Sequence, residues 1–162
     1  ITFNSPFSIH QKVRNNYYPS ILRLSSIYDI YITDVFKLFY REPVNQNIVS
    51  NQNLLFTELE LHTSLLSKEI ALFNPDIILC MGKHPLNGLS KIDKGITINN
   101  SIVSKLKDYS FKGIPTYAIP HASGVASKWA KLFMKNNGND SYNSKSYITD
   151  AMMLIEQNIK AN

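Results

Sequence analysis

Hydrophobic positions along the chain switch repeatedly between a helical and an extended spacing. From His10 to Ser26, Val13, Tyr17, Ile21 and Leu24 recur every three or four residues, the signature of one helix face, with a break or restart expected at Pro19. Residues 1–10 read as irregular, with a turn at Asn4–Phe7. Tyr28 to Val35 is rich in β-branched and aromatic residues and predicts a strand. Residues 36–53, holding Arg41, Glu42, Pro43 and several asparagines, read as a polar loop. Leu55, Leu59, Leu66, Ile70 and Phe73 then form one helical stripe over Leu54–Phe73, completed by His62 and stopped by Asn74-Pro75.

Asp76 to Met81 is a continuous apolar run, the pattern of a parallel strand buried on both faces. Gly82 turns the chain into a short helix starting near Pro85, a residue favoured at the first helical position. Residues 91–100 are polar, and a short helical turn is expected at Ile102–Leu106. A third strand is expected at Ile114–Ile119, and a helix at Val125–Lys135 with Val125, Ala126, Trp129, Leu132 and Phe133 as its buried stripe. After an Asn/Gly/Ser loop at 136–146, Ile148, Ala151, Met152, Ile155 and Ile159 mark a final amphipathic helix. Strands alternating with helices predict a three-layer α/β/α sandwich around a short, mainly parallel sheet.

The chain of 162 residues has the size of a single domain, taken as 1–162, and 44% hydrophobic with 18% charged residues is an ordinary globular balance. No apolar run reaches the ~18–20 residues that span a bilayer, and no signal-peptide pattern opens the chain. It begins on Ile1 and supplies only three expected strands, so the domain is expected to be N-terminally incomplete. The lone Cys80 excludes an internal disulfide or a cysteine cage within this chain and fits a reduced, cytoplasmic setting. A monomer is expected. A net charge of +5 and pI near 9.2 fit either a polyanionic partner or simple solubility.

Candidate chemistry gathers at the expected strand ends: Thr33, Asp34 and Lys37; Gly82 to His84; and His121 to Gly124. Parallel strands share one C-terminal edge, so these sets should meet in one cleft beside helix starts that suit an anion. On the helix after His121, Lys128, Lys131 and Lys135 share one side, either a solvated face or a row suited to a phosphate backbone. His62 reads as a core histidine and His84 as a turn residue. The four histidines lack ligand spacing, so no metal is expected.

Tyr31-Ile-Thr-Asp-Val-Phe-Lys37, Asn74-Pro-Asp-Ile-Ile-Leu-Cys-Met-Gly82 and Pro115 through Trp129 resemble, in order and spacing, the uracil-DNA glycosylase superfamily over about residues 5–133. The resemblance implies hydrolysis of the N-glycosidic bond of a flipped-out uracil or related deaminated base in DNA, single- or double-stranded, in base-excision repair. It implies that Phe7 stacks on the base and that Asp34 stands where the family has an asparagine reading the base edge. It implies that His121 donates to uracil O2, that Ser123 and Gly124 grip the backbone, and that Lys128 and Lys131 contact DNA. The family's water-activating first-strand motif would lie before residue 1. The cysteines of the iron–sulfur branch are absent, Leu38 standing where one would fall, so no cofactor is expected. Two other readings remain open: a glycosylase-like DNA-binding module without chemistry, and an α/β enzyme acting on a free nucleotide or sugar phosphate.

Overall fold

The computed structural model describes residues 18–35, 41–44, 47–50, 59–98, 106–122 and 126–161. Phe7, Ser123, Gly124 and most of the turn expected at Ile102–Leu106 lie outside them. In chain order the elements are α1 (Tyr18–Ser25), β1 (Arg41–Val44), β2 (Asn47–Ser50), α2 (Leu59–Phe73), β3 (Ile78–Met81), α3 (Lys83–Ile92), β4 (Asp108–Phe111), β5 (Ile114–Ile119), α4 (Ser127–Asn136) and α5 (Tyr147–Ala161).

The central sheet has the order β3-β5-β4. β3 and β5 run parallel, with Ile78 opposite Thr116 and Met81 opposite Ile119, so both strands end at the same edge. β4 is antiparallel to β5. It joins β5 through Lys112-Gly113, both at positive φ (50° and 89°), as a two-residue type I′ hairpin requires. The sheet is therefore mixed, because 108–111 returns as a hairpin strand.

Side chains alternate across this sheet and define two cores. On one face Ile119 and Ala122, with Leu79 and Met81, pack against Leu24 of α1, Ala130, Phe133 and Met134 of α4, and Tyr147, Ile148 and Ala151 of α5. On the other, Cys80, Ala118 and Phe111 pack against Leu66 of α2 and Leu86 and Leu89 of α3. Helices cover both faces, the α/β layering that the alternation of elements predicts. Within α2, Leu59, His62, Leu66 and Ile70 face inward as the stripe requires, whereas Phe73 at its end is exposed and packs on Tyr31 instead. Pro19 sits in the first turn of α1, where its missing N–H costs nothing.

Three expectations change. Residues 28–35 form no strand: Ile30, Tyr31 and Ile32 are exposed, and no described strand lies beside them. β-propensity measures how well side chains suit a half-covered sheet surface, and a strand also needs a neighbour to complete its ladder. The segment is held by side chains instead. Thr33 Oγ1 donates to Glu69 Oε2 at 2.9 Å, Tyr31 stacks on Phe73 with centroids 3.8 Å apart, and Val35 is buried against α3.

The polar stretch 36–53 contains the antiparallel ribbon β1–β2, with Val44 opposite Asn47 and Pro43 opposite Ile48. Lastly, α4 is rotated from its expected orientation. Ala130, Phe133 and Met134 are its buried face, while Trp129 and Leu132 are 45% and 40% exposed. Ala130, Phe133 and Met134 join the core cluster with Ile119, Ala122 and Tyr147, and the indole is left outside.

Candidate active site at the end of the central strands

The parallel pairing of β3 and β5 brings their last residues together. Gly82 N–H donates to the Ile119 carbonyl at 2.8 Å, continuing the ladder one residue past β3. Gly82 then turns into α3 at φ 98° and ψ 178°, a conformation that side-chain-bearing residues rarely enter. A Cβ placed there would lie 3.6 Å from His121 Cβ, so the Gly82 turn runs directly against His121.

His121 itself projects from a fixed corner. Pro120 before it is fully buried and Ala122 after it is 2% exposed. The Pro120 carbonyl accepts a 2.9 Å hydrogen bond from the hydroxyl of Tyr147, a fully buried residue opening α5. With the backbone clamped on both sides, the imidazole is the part of the corner that meets solvent. Tyr147 carries no signal that singles it out in sequence, since its partner is a backbone carbonyl 27 residues away.

Asp34 arrives by a different route from a strand end. Val35 packs so closely on α3 that a Cβ on Gly88 would stand 2.8 Å from Val35 Cγ1. The absent side chain at Gly88 makes room for Val35, and Val35 fixes the residue before it near the strand edge.

The electrostatics of His121 show which groups surround it. Its surface is exposed overall, yet loss of hydration is the largest influence, lowering its pKa from the usual histidine value. The Asp34 carboxylate acts in the opposite direction, and nearby His84 lowers the pKa further. At neutral pH His121 is therefore a neutral imidazole, able to offer one N–H as a donor. Asp34, His84, His121 and the Gly82 turn thus share one site. His84, read from sequence as a turn residue, belongs to it, while His62 is fully buried in α2, away from solvent.

Lys128, Lys131 and Lys135 are exposed on α4, the helix that follows this corner, and with Leu132, Asp140 and Tyr142 they line an open groove of about 540 Å³. The Lys128 ammonium lies over the Trp129 ring at 4.7 Å and that of Lys131 over Tyr142 at 5.7 Å. Among the described residues no helix is long and apolar enough to cross a membrane.

Fold and site together define an α/β protein with an exposed histidine at the C-terminal edge of its parallel strands, where open α/β sheets hold ligands. Compared with protein families, residues 4–145 match the model of the uracil DNA glycosylase superfamily, and the chain belongs to that superfamily. At family level this makes it a glycosylase-like hydrolase whose substrate is DNA. Neither the curated proteins nor the solved structures give a match.

Proposed function

We propose that the protein is a DNA glycosylase that removes uracil, or a related deaminated base, from DNA in base-excision repair. The observation that carries this reading is the meeting of His121 with Asp34 beside the Gly82 turn, in a chain of this superfamily.

The chemistry needs such a donor. When the C1′–N1 bond breaks, its electron pair leaves with the base and positive charge develops on the sugar. An N–H from His121 aimed at O2 of the departing base stabilises the negative charge that collects there. A preorganised donor of this kind is worth ~3–4 kcal/mol of barrier in comparable sites. A neutral imidazole serves as donor without needing a proton from solvent, which is the state that desolvation favours at His121. A water oxygen then bonds to C1′, and the proton that water loses passes through solvent to neutralise the released base anion, leaving free base and an abasic sugar.

Asp34 is assigned to the base edge. Its carboxylate accepts from the N3–H of uracil but offers no N–H to O4, whereas it suits the exocyclic amine of cytosine. The base preference is therefore read directly by experiment. Full-length protein is incubated with single- and double-stranded oligonucleotides carrying uracil, or only the four ordinary bases, and free base is identified by mass. Release of uracil, with the cytosine-only strand intact, supports the assignment. Release of cytosine would replace it. Absence of any release, together with salt-sensitive binding to abasic DNA, would make the protein a binding module.

A further inference from the structure

The rotation of α4 leaves an aromatic and basic surface that the base-excising site does not use. At 100° per residue, Lys131, Lys135, Lys128, Leu132 and Trp129 follow one another around a single exposed arc of the helix. Trp129 ends this arc on one side. Tyr142, from the loop before α5, borders it at Lys131 on the other. Each ring thus has a lysine ammonium against it, and the lysines run between the two rings. Asp140 is the acidic residue in the groove.

We infer that this arc is a binding platform for single-stranded DNA, on which Trp129 and Tyr142 stack bases while Lys128, Lys131 and Lys135 hold the phosphates between them. The inference rests on DNA being the protein's substrate and adds the form of it that this face takes. A row of cations flanked by an exposed indole and a half-buried tyrosine ring is what the phosphates and bases of an unpaired strand can both use. A duplex hides its base faces in the stack and presents phosphates and groove edges, which would satisfy the lysines and leave the rings idle. The exposed lysine–ring contacts are weak and exchange readily for stacked bases.

The platform is also tied to the catalytic corner. The Tyr142 ring lies 5.7 Å from the ring of Tyr147, whose hydroxyl holds the Pro120 carbonyl next to His121. A strand seated on α4 is therefore registered against the corner through one pair of tyrosines.

Trp129 is the single tryptophan of the chain, so indole fluorescence reports this face alone. The protein is titrated with a uracil-free oligothymidylate strand and with the same strand in a duplex. Saturable quenching by the single strand, much weaker quenching by the duplex, and a loss of single-strand affinity of about tenfold in Trp129→Ala are expected, with near-normal affinity in Trp129→Phe. Replacing Lys128 and Lys131 by alanine together should reduce the slope of log affinity against log salt by about 1.4. His121→Ala should leave quenching intact while removing base release, so failure of the platform and failure of the glycosylase reading are separately visible. Strand binding without quenching, equal quenching by duplex, or unchanged affinity in Trp129→Ala would overturn the inference. Should Trp129→Ala fail to fold, the wild-type titration with single strand and duplex decides alone.

Discussion

Removing one oxygen from Tyr147 tests how the His121 corner is built. In Tyr147→Phe the ring stays in its fully buried site, so the apolar burial is nearly unchanged and no cavity larger than a hydroxyl appears. What is lost is the 2.9 Å hydrogen bond to the Pro120 carbonyl, deep between α5 and the end of β5. Leaving a buried acceptor without its donor costs ~1–3 kcal/mol. For a chain of this length ~1 kcal/mol moves the midpoint by roughly 2–4 °C, so a fall of about 4–8 °C is expected for a loss near ~2 kcal/mol. Thermal unfolding followed by circular dichroism measures it. The second readout is single-turnover base release at a temperature where both proteins are fully folded. A purely structural bond would leave that rate unchanged, whereas a bond that positions His121 lowers it. A midpoint within about 1 °C of wild type would refute the stability argument, and an unchanged rate would refute the positioning role.

Two further predictions concern the groups around His121. In Asp34→Asn the carboxylate that opposes desolvation is gone, so the His121 pKa falls further; in His84→Gln an influence that lowers it is removed and it rises. NMR titration of the imidazole protons checks both directions. Because the folded-state pKa lies below the unfolded one, the unfolded chain binds more protons, and His121 contributes a loss of stability as pH falls through the ordinary histidine range towards the lowered folded value. Gly88→Ala sets a helix-propensity gain of ~1 kcal/mol against overpacking on the stiff Val35 side chain, a cost of ~1–3 kcal/mol. Net destabilisation is expected in the wild-type background and stabilisation once Val35→Ala relieves the contact; a higher melting temperature of the single variant would sink this.

The parts of the site legible in sequence are those whose local pattern and tertiary role agree. The apolar run before Gly82 and the strand before Pro120 are short, strongly patterned and bounded by turn residues, so β3, β5 and the corner between them are readable. Residues 28–35 show where that reading fails. Their composition satisfies a strand, but a ladder depends on what lies alongside, which no local pattern contains. Asp34 nevertheless reaches the site, because Val35 and the space at Gly88 bring it there.

The α4 helix fails differently. Two stripes compete on it, one holding Trp129 and Leu132 and the other Ala130 and Met134, with Phe133 common to both. Hydrophobicity favours the first; the second is the one buried in the core with Ile119, Ala122, Tyr147, Ile148 and Ala151. Tyr147 was illegible for a simpler reason, since its partner is a backbone oxygen and every residue has one.

The central claim is that His121 stabilises the departing base, and one rate constant tests it most directly. Uracil release from a single-stranded uracil oligonucleotide is measured under single-turnover conditions with wild type and His121→Ala, at a pH above the ordinary histidine range so that the imidazole is neutral. Loss of a preorganised donor to the leaving base predicts a fall of about 100- to 1,000-fold with substrate binding largely retained. A His121→Ala rate within about twofold of wild type, a difference under ~0.5 kcal/mol, would contradict the account.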